Sequence, residues 1–418
     1  MCVNSKSIVD GPAGALTQHK IVIVGAGAGG IAVAASLLAR VSDLDIALID
    51  PADEHYYQPG WTLVGAGVFS AIDTRRKTAN LIPRGAKLIK ARVSGFDPQA
   101  RCVLLEEGGR VVYEKLIVAP GLVLDWDAVI GLKDTLGQNG VTSNYRYDLA
   151  PYTWQLVRQL KGGSALFTQP PMPIKCAGAP QKAMYLSCDA WRRAGVLDEF
   201  HVEFLNAGPV LFGVADYVPP LMKYVNSYGI DLSFGHDLTR IDGPARKAWF
   251  TTAEGVVERD FDMIHVCPPQ KAPAFIDPLA NENGWLAVDP AYLQHVEHSD
   301  IYGLGDVLGT TNAKTAAAAR QQAPVVAENV LRDLGLRMGK RAIYNGYGSC
   351  PLTVERGKVI LAEFAYGGQR VPSFPKWLVD DLKPSRAAWW LKETALPRIY
   401  WDGMLRGREW LARPRYGK

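Results

Sequence analysis

The chain has 418 residues, 48% of them hydrophobic, which is enough to bury more than one core, so two or three domains are expected. A formal net charge of +4 is too small to indicate a nucleic-acid partner, and no apolar run reaches the roughly 18–20 uncharged residues of a membrane span. The six cysteines are scattered without a CxxC pair, which argues against a zinc site or an adjacent-cysteine redox motif and leaves no metal site in view.

Residues 1–19 have neither an apolar h-region nor an arginine-rich face and read as a flexible N-terminus without a targeting signal, with Cys2 on a disordered end. The stretch KIVIVGAGAGGIAVAASLLARVSDLDIALID, Lys20 to Asp50, then has every part of a dinucleotide-binding βαβ unit. A β-branched strand runs into Gly25, Gly27 and Gly30, a small-residue helix follows, and a second apolar strand ends in an acid. The glycines let the backbone approach a pyrophosphate at a helix N-terminus, where free N–H groups and the dipole favour anions. Asp50 is placed to accept hydrogen bonds from a ribose.

Two further segments, KLIVAPG (Lys115 to Gly121, with Pro120) and SDIYGLGD (Ser299 to Asp306), are buried-strand patterns ending in small residues, and their spacing leaves room for a second domain between them. In that order they resemble the two-dinucleotide flavoproteins, in which such segments flank FAD and a Gly-Asp carboxylate, here Asp306, holds the ribityl chain. The middle domain of pyridine-nucleotide members repeats the glycine fingerprint. Here the strand SALFTQ is followed by PPMPIKCAGAP, whose prolines leave no nest for a second pyrophosphate, so NAD(P)H is not the expected electron donor.

Cys176 stands where that loop belongs, before an expected helix and near Lys175 and Lys182, a setting that stabilises a thiolate. Cys102, Cys188 and Cys267 read as small buried hydrophobes on a strand, in a helix and at a strand end. After Asp306, the small-residue run AKTAAAARQQAPVVAENVL suits a helix packed against a cofactor, its first turn aimed at a flavin and Lys314 placed to stabilise negative charge there. Cys350, in NGYGSCPLTV, lies on a turn entering a strand; spacing alone leaves a functional Cys176–Cys350 pair open. His55, His201, His236 and His265 are available as proton carriers, and the sequence does not choose among them.

The segment from Phe374 to Lys418 holds five of the eleven tryptophans and ten Lys or Arg against five Asp or Glu. Prolines at 384, 397 and 414 are expected to divide it into short helical pieces lying in a membrane interface. Packing on the chain's own domain or at a homo-oligomer interface is the alternative. Phe364, Phe374 and Trp377 are candidate stacking residues for a lipid-borne quinone.

HYYQPGWTLVGAG (His55 to Gly67), PIKCAGAPQKAMYL (Pro173 to Leu186), KTAAAA (Lys314 to Ala319), GYGSCPL (Gly346 to Leu352) and VILAEFAY (Val359 to Tyr366) resemble the sulfide:quinone oxidoreductases, in particular the two-cysteine branch that includes the mitochondrial enzyme and bacterial relatives. The resemblance implies an α/β fold of two tandem Rossmann-like domains of the FAD/NAD(P)-linked disulfide reductase type, with a C-terminal amphipathic membrane-anchoring segment. The expected division is an FAD-binding domain over residues 20–121 and 285–345, a second Rossmann-like domain over 122–284, a redox-cysteine and quinone segment over 346–373 and the tail over 374–418. It implies a redox disulfide between Cys176 and Cys350. It also implies flavin contacts at Ala28, Gly29, Asp50, Gln58, Val93, Asp306 and Thr315.

The implied partners are hydrogen sulfide, ubiquinone or another membrane quinone, and a small sulfur acceptor such as glutathione, sulfite or sulfide. By the same resemblance, hydrosulfide opens the disulfide at Cys350, leaving a persulfide and a Cys176 thiolate. The absence of a third cysteine in GLVLDWD (Gly121 to Asp127) favours a two-cysteine cycle without a covalent flavin link. A peripheral position on an inner or cytoplasmic membrane, on its cytoplasmic face, is expected. Competing readings are a type II NADH:quinone dehydrogenase, a flavocytochrome-type sulfide dehydrogenase and a non-catalytic flavoprotein sensor.

Overall fold

Leu16–Val24 (β1) is a nine-residue strand whose last four residues are all buried, as befits a strand covered on both faces. In the computed structural model, which describes residues 8–9 and 16–417, it lies centrally in a sheet of eight strands. Part of the segment expected to be flexible is paired in the sheet: Leu16 to His19 pair with Arg110 to Tyr113, and Ile8–Val9 pairs in parallel with Leu88–Ile89. The reading of Cys2 lies outside the described residues.

The strand passes through a tight turn into the helix Ala28–Arg40 (α1), and Ile46–Ile49 returns in parallel beside it. A Cβ on Gly30 would fall 1.8 Å from the Gly25 carbonyl oxygen, so helix and turn approach this closely only with glycine there. On the other side of β1 lies the parallel strand Arg110–Val118 (β2), whose last residues also pair with Ile301–Gly303. These strands, α1 and the helix Ala316–Asp333 enclose one apolar core.

A second parallel sheet orders Val141–Thr142, Met263–His265, Gly163–Gln169 (β3), Phe200–Asn206 and Asp231–Phe234. The helix Ala179–Arg193 (α2) covers it, with Met184, Tyr185, Cys188 and Trp191 in the core beneath. The Ala316–Asp333 helix (α3) precedes a two-stranded antiparallel hairpin, Gly348–Glu355 (β4) and Lys358–Phe364 (β5), which packs on α2.

The C-terminal segment departs from expectation. Helical turns continue from Arg386 to Arg406 through Pro397 instead of breaking there. Wide π-turns at Leu391–Ala395 and Ile399–Gly403 flank the proline and relieve the clash its ring makes with a regular α-helical turn. Tyr400, Trp401, Met404 and Leu405 are buried in the first core. The segment is also clasped to α1: Arg40 Nη2 donates to Glu409 at 2.9 Å and Ser36 Oγ to Glu409 at 2.7 Å, while Arg40 Nε donates to Glu328 of α3 at 2.7 Å. Among the described residues no helix is long and apolar enough to cross a membrane.

Candidate active site

One cavity of about 400 Å³ runs from the first βαβ turn to the C-terminal segment. Gly27, Ala28, Gly29 and Asp50 line it from the first unit, Gln58 from the following loop, and Pro120 and Gly121 from the end of β2. Asp306, Lys314 and Thr315 line it from the last part of the sheet and the start of α3. Gly25 and Gly30 stand behind this wall and set the shape of the turn. Val93 does not reach the cavity, because its strand directs it into the first core.

Several wall residues carry polar groups the protein leaves unpaired. Trp61 Nε1, Thr62 Oγ1 and both side-chain atoms of Asn144 are buried without a partner. Buried polar atoms are almost always hydrogen-bonded, so this set fits a large polar ligand. Asp50 accepts from the N–H groups of Ala26 (2.6 Å) and Ala52 (2.7 Å), and burial holds its pKa above the usual carboxylate value despite them. With the α1 N-terminus free of any side-chain cap, these features fit FAD.

Lys314 is more committed than its position in the chain suggests. Its ammonium donates to the carbonyls of Asp306 (2.8 Å) and Leu308 (2.7 Å) and lies 3.8 Å from the centre of the Trp285 ring. Burial brings its pKa down to about 8. Thr315 caps α3, its hydroxyl accepting from Ala318 N–H at 3.1 Å.

The two loop cysteines meet. Cys176 has a left-handed backbone (φ 51°), its N–H donating to the Lys314 carbonyl at 2.8 Å, and this turn directs it into the cavity wall. Cys350 is the third residue of β4, further into the strand than the expected turn, and its Sγ is 3.7 Å from that of Cys176. Gly178 makes the approach possible, since a Cβ there would lie 2.6 Å from Cys350 Sγ. Lys182, one turn into α2, places its ammonium 3.0 Å from Cys176 Sγ and 3.8 Å from Cys350 Sγ.

These contacts divide the pair. A hydrogen bond from the Cys350 thiol, with the Lys182 charge, holds the Cys176 pKa well below the thiol value, while Cys350 is pushed up beside that thiolate. Among the described residues the other three cysteines behave differently: burial pushes Cys102 and Cys188 up, and Cys267 up to about 12.

Lys392, from the C-terminal segment, is a site residue that sequence reading missed. It is buried in the cavity wall, and burial together with repulsion from Lys182 lowers its pKa to about 7. In the sequence it is one of many basic residues in an aromatic tail, and only long-range packing distinguishes it.

The expected stacking residues separate. Phe374 lines the cavity, but Phe364 packs edge-on against Phe212 in the second core, and Trp377 stands 84% exposed on a loop. Strand alternation explains the first correction: Phe364 shares a face of β5 with Ala362, the cross-strand partner of Cys350. Among the histidines, His55 lines the cavity and is paired with the Tyr400 hydroxyl at 2.7 Å, its pKa lowered to about 4 by burial. His265 is fully buried and also lowered to about 4 by burial, whereas His201 is exposed and His236 half-buried, both outside the cavity wall.

Residues 19–323 match the pyridine nucleotide-disulphide oxidoreductase family. The chain is 42% identical to the mitochondrial sulfide:quinone oxidoreductase of Dictyostelium discoideum, over 93% of this chain and 86% of that protein. It is 34% identical to the mouse mitochondrial enzyme of the same name, over 94% of this chain and 88% of that protein. The crystal structure of the Aquifex aeolicus sulfide:quinone oxidoreductase superposes with a TM-score of 0.77 at 18% identity, covering 94% of this chain and 92% of that one, a likeness of fold. The chain is thus a flavin-dependent oxidoreductase with FAD as its cofactor, and it belongs to the sulfide:quinone oxidoreductase family.

Proposed function

We propose that this protein oxidises sulfide through Cys176 and Cys350 and passes the electron pair by way of FAD to a membrane quinone. The observation that carries this reading is the 3.7 Å sulfur pair, in which Cys176, with the Lys182 ammonium 3.0 Å away, lies in the wall of the cavity that the nucleotide turn also lines and Cys350 lies just behind it. Hydrosulfide attacks the Cys350 sulfur of the Cys176–Cys350 disulfide; the old S–S bond breaks, a new one forms at Cys350, and Cys176 leaves as thiolate. The direction follows from the electrostatics, because the sulfur of lower pKa is the better leaving group. A small nucleophile such as glutathione, sulfite or sulfide then takes the outer sulfur, leaving Cys350 as thiolate. Bound FAD supplies the two-electron acceptor that restores the disulfide. Gly27, Ala28, Gly29, Asp50, Gln58, Pro120, Gly121, Asp306 and Thr315 are the residues we assign to holding it.

Quinone enters, in this reading, beside Phe374, where Leu391, Leu396 and Ile399 make the cavity wall apolar. Leu411, in the same wall, is 66% exposed and belongs with Trp377, Leu378, Trp390 and Trp410 to the exposed apolar side chains of the C-terminal segment. These support peripheral docking on a lipid surface that delivers the quinone.

The test is anaerobic titration with sulfide and then with NADH, following flavin absorbance. Cys176→Ser and Cys350→Ser are expected to keep FAD and lose sulfide-dependent bleaching. Wild-type bleaching in both variants removes the disulfide mechanism, and bleaching by NADH alone assigns a different donor.

A further inference from the structure

Glu363 takes no part in the sulfur chemistry, yet it is a carboxylate only 4% exposed in the wall of the same cavity. In the hairpin Glu363 pairs with Ser349, and Leu361 with Pro351. Since alternate residues of a strand face opposite sides, Cys350 and Ala362 share the face packed on α2, while Glu363 and Leu361 share the cavity face. Glu363 accepts three hydrogen bonds: from the Tyr347 hydroxyl at 2.5 Å and the Ser373 hydroxyl at 2.6 Å, both on Oε1, and from Ser373 N–H at 2.8 Å on Oε2. Tyr347 is buried in the cavity wall and Ser373, also in that wall, is exposed to solvent.

A clamp holding the loop at residue 373 is satisfied by the backbone N–H alone. Two hydroxyls on one carboxylate oxygen, one on an exposed residue and the other in the cavity wall, make a continuous hydrogen-bonded path from solvent to the cavity instead. Arg320 of α3 stands in the same wall; burial lowers its pKa, and Tyr347 and Glu363 draw it back up. At the backbone of Glu363 the neighbouring polar groups are Tyr217, which accepts from its N–H at 3.2 Å, and behind it Asp381 and Arg370.

We propose that Ser373, Glu363 and Tyr347 form a relay that carries protons from water to the quinone as it is reduced. This rests on the quinone reading above. Reduction to the hydroquinone takes two electrons and two protons, and the electron pair is the one removed from the thiolates. The Tyr347 O–H bond breaks as an O–H bond forms on the quinone oxygen. The Glu363 carboxylate takes a proton from water through Ser373 and hands it on to the phenolate. Burial raises the Tyr347 pKa, as does Glu363, so the phenol rests protonated and its phenolate recaptures a proton readily.

The experiment reduces the bound flavin with dithionite and follows its reoxidation by a short-chain ubiquinone in a stopped-flow instrument. Glu363→Gln is expected to slow reoxidation at least tenfold and to flatten its pH dependence, with Glu363→Asp recovering part of both. Tyr347→Phe, which removes only the hydroxyl, is expected to slow it similarly. In the resting protein, a carboxylate infrared band is expected to vanish in Glu363→Gln and to shift in Tyr347→Phe, which removes one of the hydrogen bonds to that carboxylate. Wild-type reoxidation rates in both variants overturn the relay. So does an equal slowing of flavin reduction by sulfide, which marks a structural role. Failure of quinone to reoxidise the wild-type protein overturns the quinone reading itself.

Discussion

Besides the hydrogen bond from Cys350, the Lys182 ammonium favours the thiolate at Cys176, at 3.0 Å from that sulfur and 3.8 Å from the other. Replacing it with methionine keeps the buried stem and removes the charge. In the reduced Lys182→Met protein, the pH midpoint for alkylation of Cys176 by iodoacetamide is expected to rise by at least about one unit, equivalent to roughly 1.4 kcal/mol. An unmoved midpoint shows that the Cys350 hydrogen bond alone sets the thiolate. Both cysteines were visible in the sequence because glycine and proline surround them, where a packing residue is out of place. Their neighbours were less visible. Glu363 and Tyr347 sit in a strand and before one without any local sign of the cavity they face. Asn144, Thr62 and Trp61 are ordinary residues until their lack of partners is seen.

Periodicity and turn chemistry act within an element, and there the chain was most legible. The first βαβ unit, the strand before Cys176 and the helix after it run where the glycines, β-branched runs and prolines place them. The C-terminal segment is where local rules failed, since its path is set by partners several hundred residues away. One of these is His55, whose imidazole meets the Tyr400 hydroxyl. Burial lowers its pKa to about 4, so between about 6.5 and 4 the unfolded chain binds a proton that the native chain does not. Stability is therefore expected to fall on acidification through that window, by up to about 1.4 kcal/mol per pH unit from this residue. Denaturant unfolding of His55→Gln between pH 7 and pH 4 is expected to show a shallower loss than wild type. Parallel curves place the acid sensitivity elsewhere, His265 being the other histidine held near 4.

Over the molecule as a whole, the C-terminal segment has two kinds of aromatic residue, which composition could not separate. Tyr400 and Trp401 belong to the first core, whereas Trp377, Trp390 and Trp410 face outward. Deleting everything after Lys376 would therefore expose that core and cannot isolate a docking role. Changing Trp377, Trp390 and Trp410 together to serine is the cleaner test. Liposome partitioning is expected to drop at least tenfold, given that each aromatic contributes of the order of 1 kcal/mol or more on burial, while the melting temperature stays unchanged. Undiminished partitioning assigns these rings to contact with protein. The clasp of Arg40 and Ser36 on Glu409 adds a geometric constraint, because α1 begins at the nucleotide turn and ends at that clasp. Any surface that seats the C-terminal segment thereby sets the height and tilt of the nucleotide turn above it, as a bracket fixes whatever is bolted to its other arm.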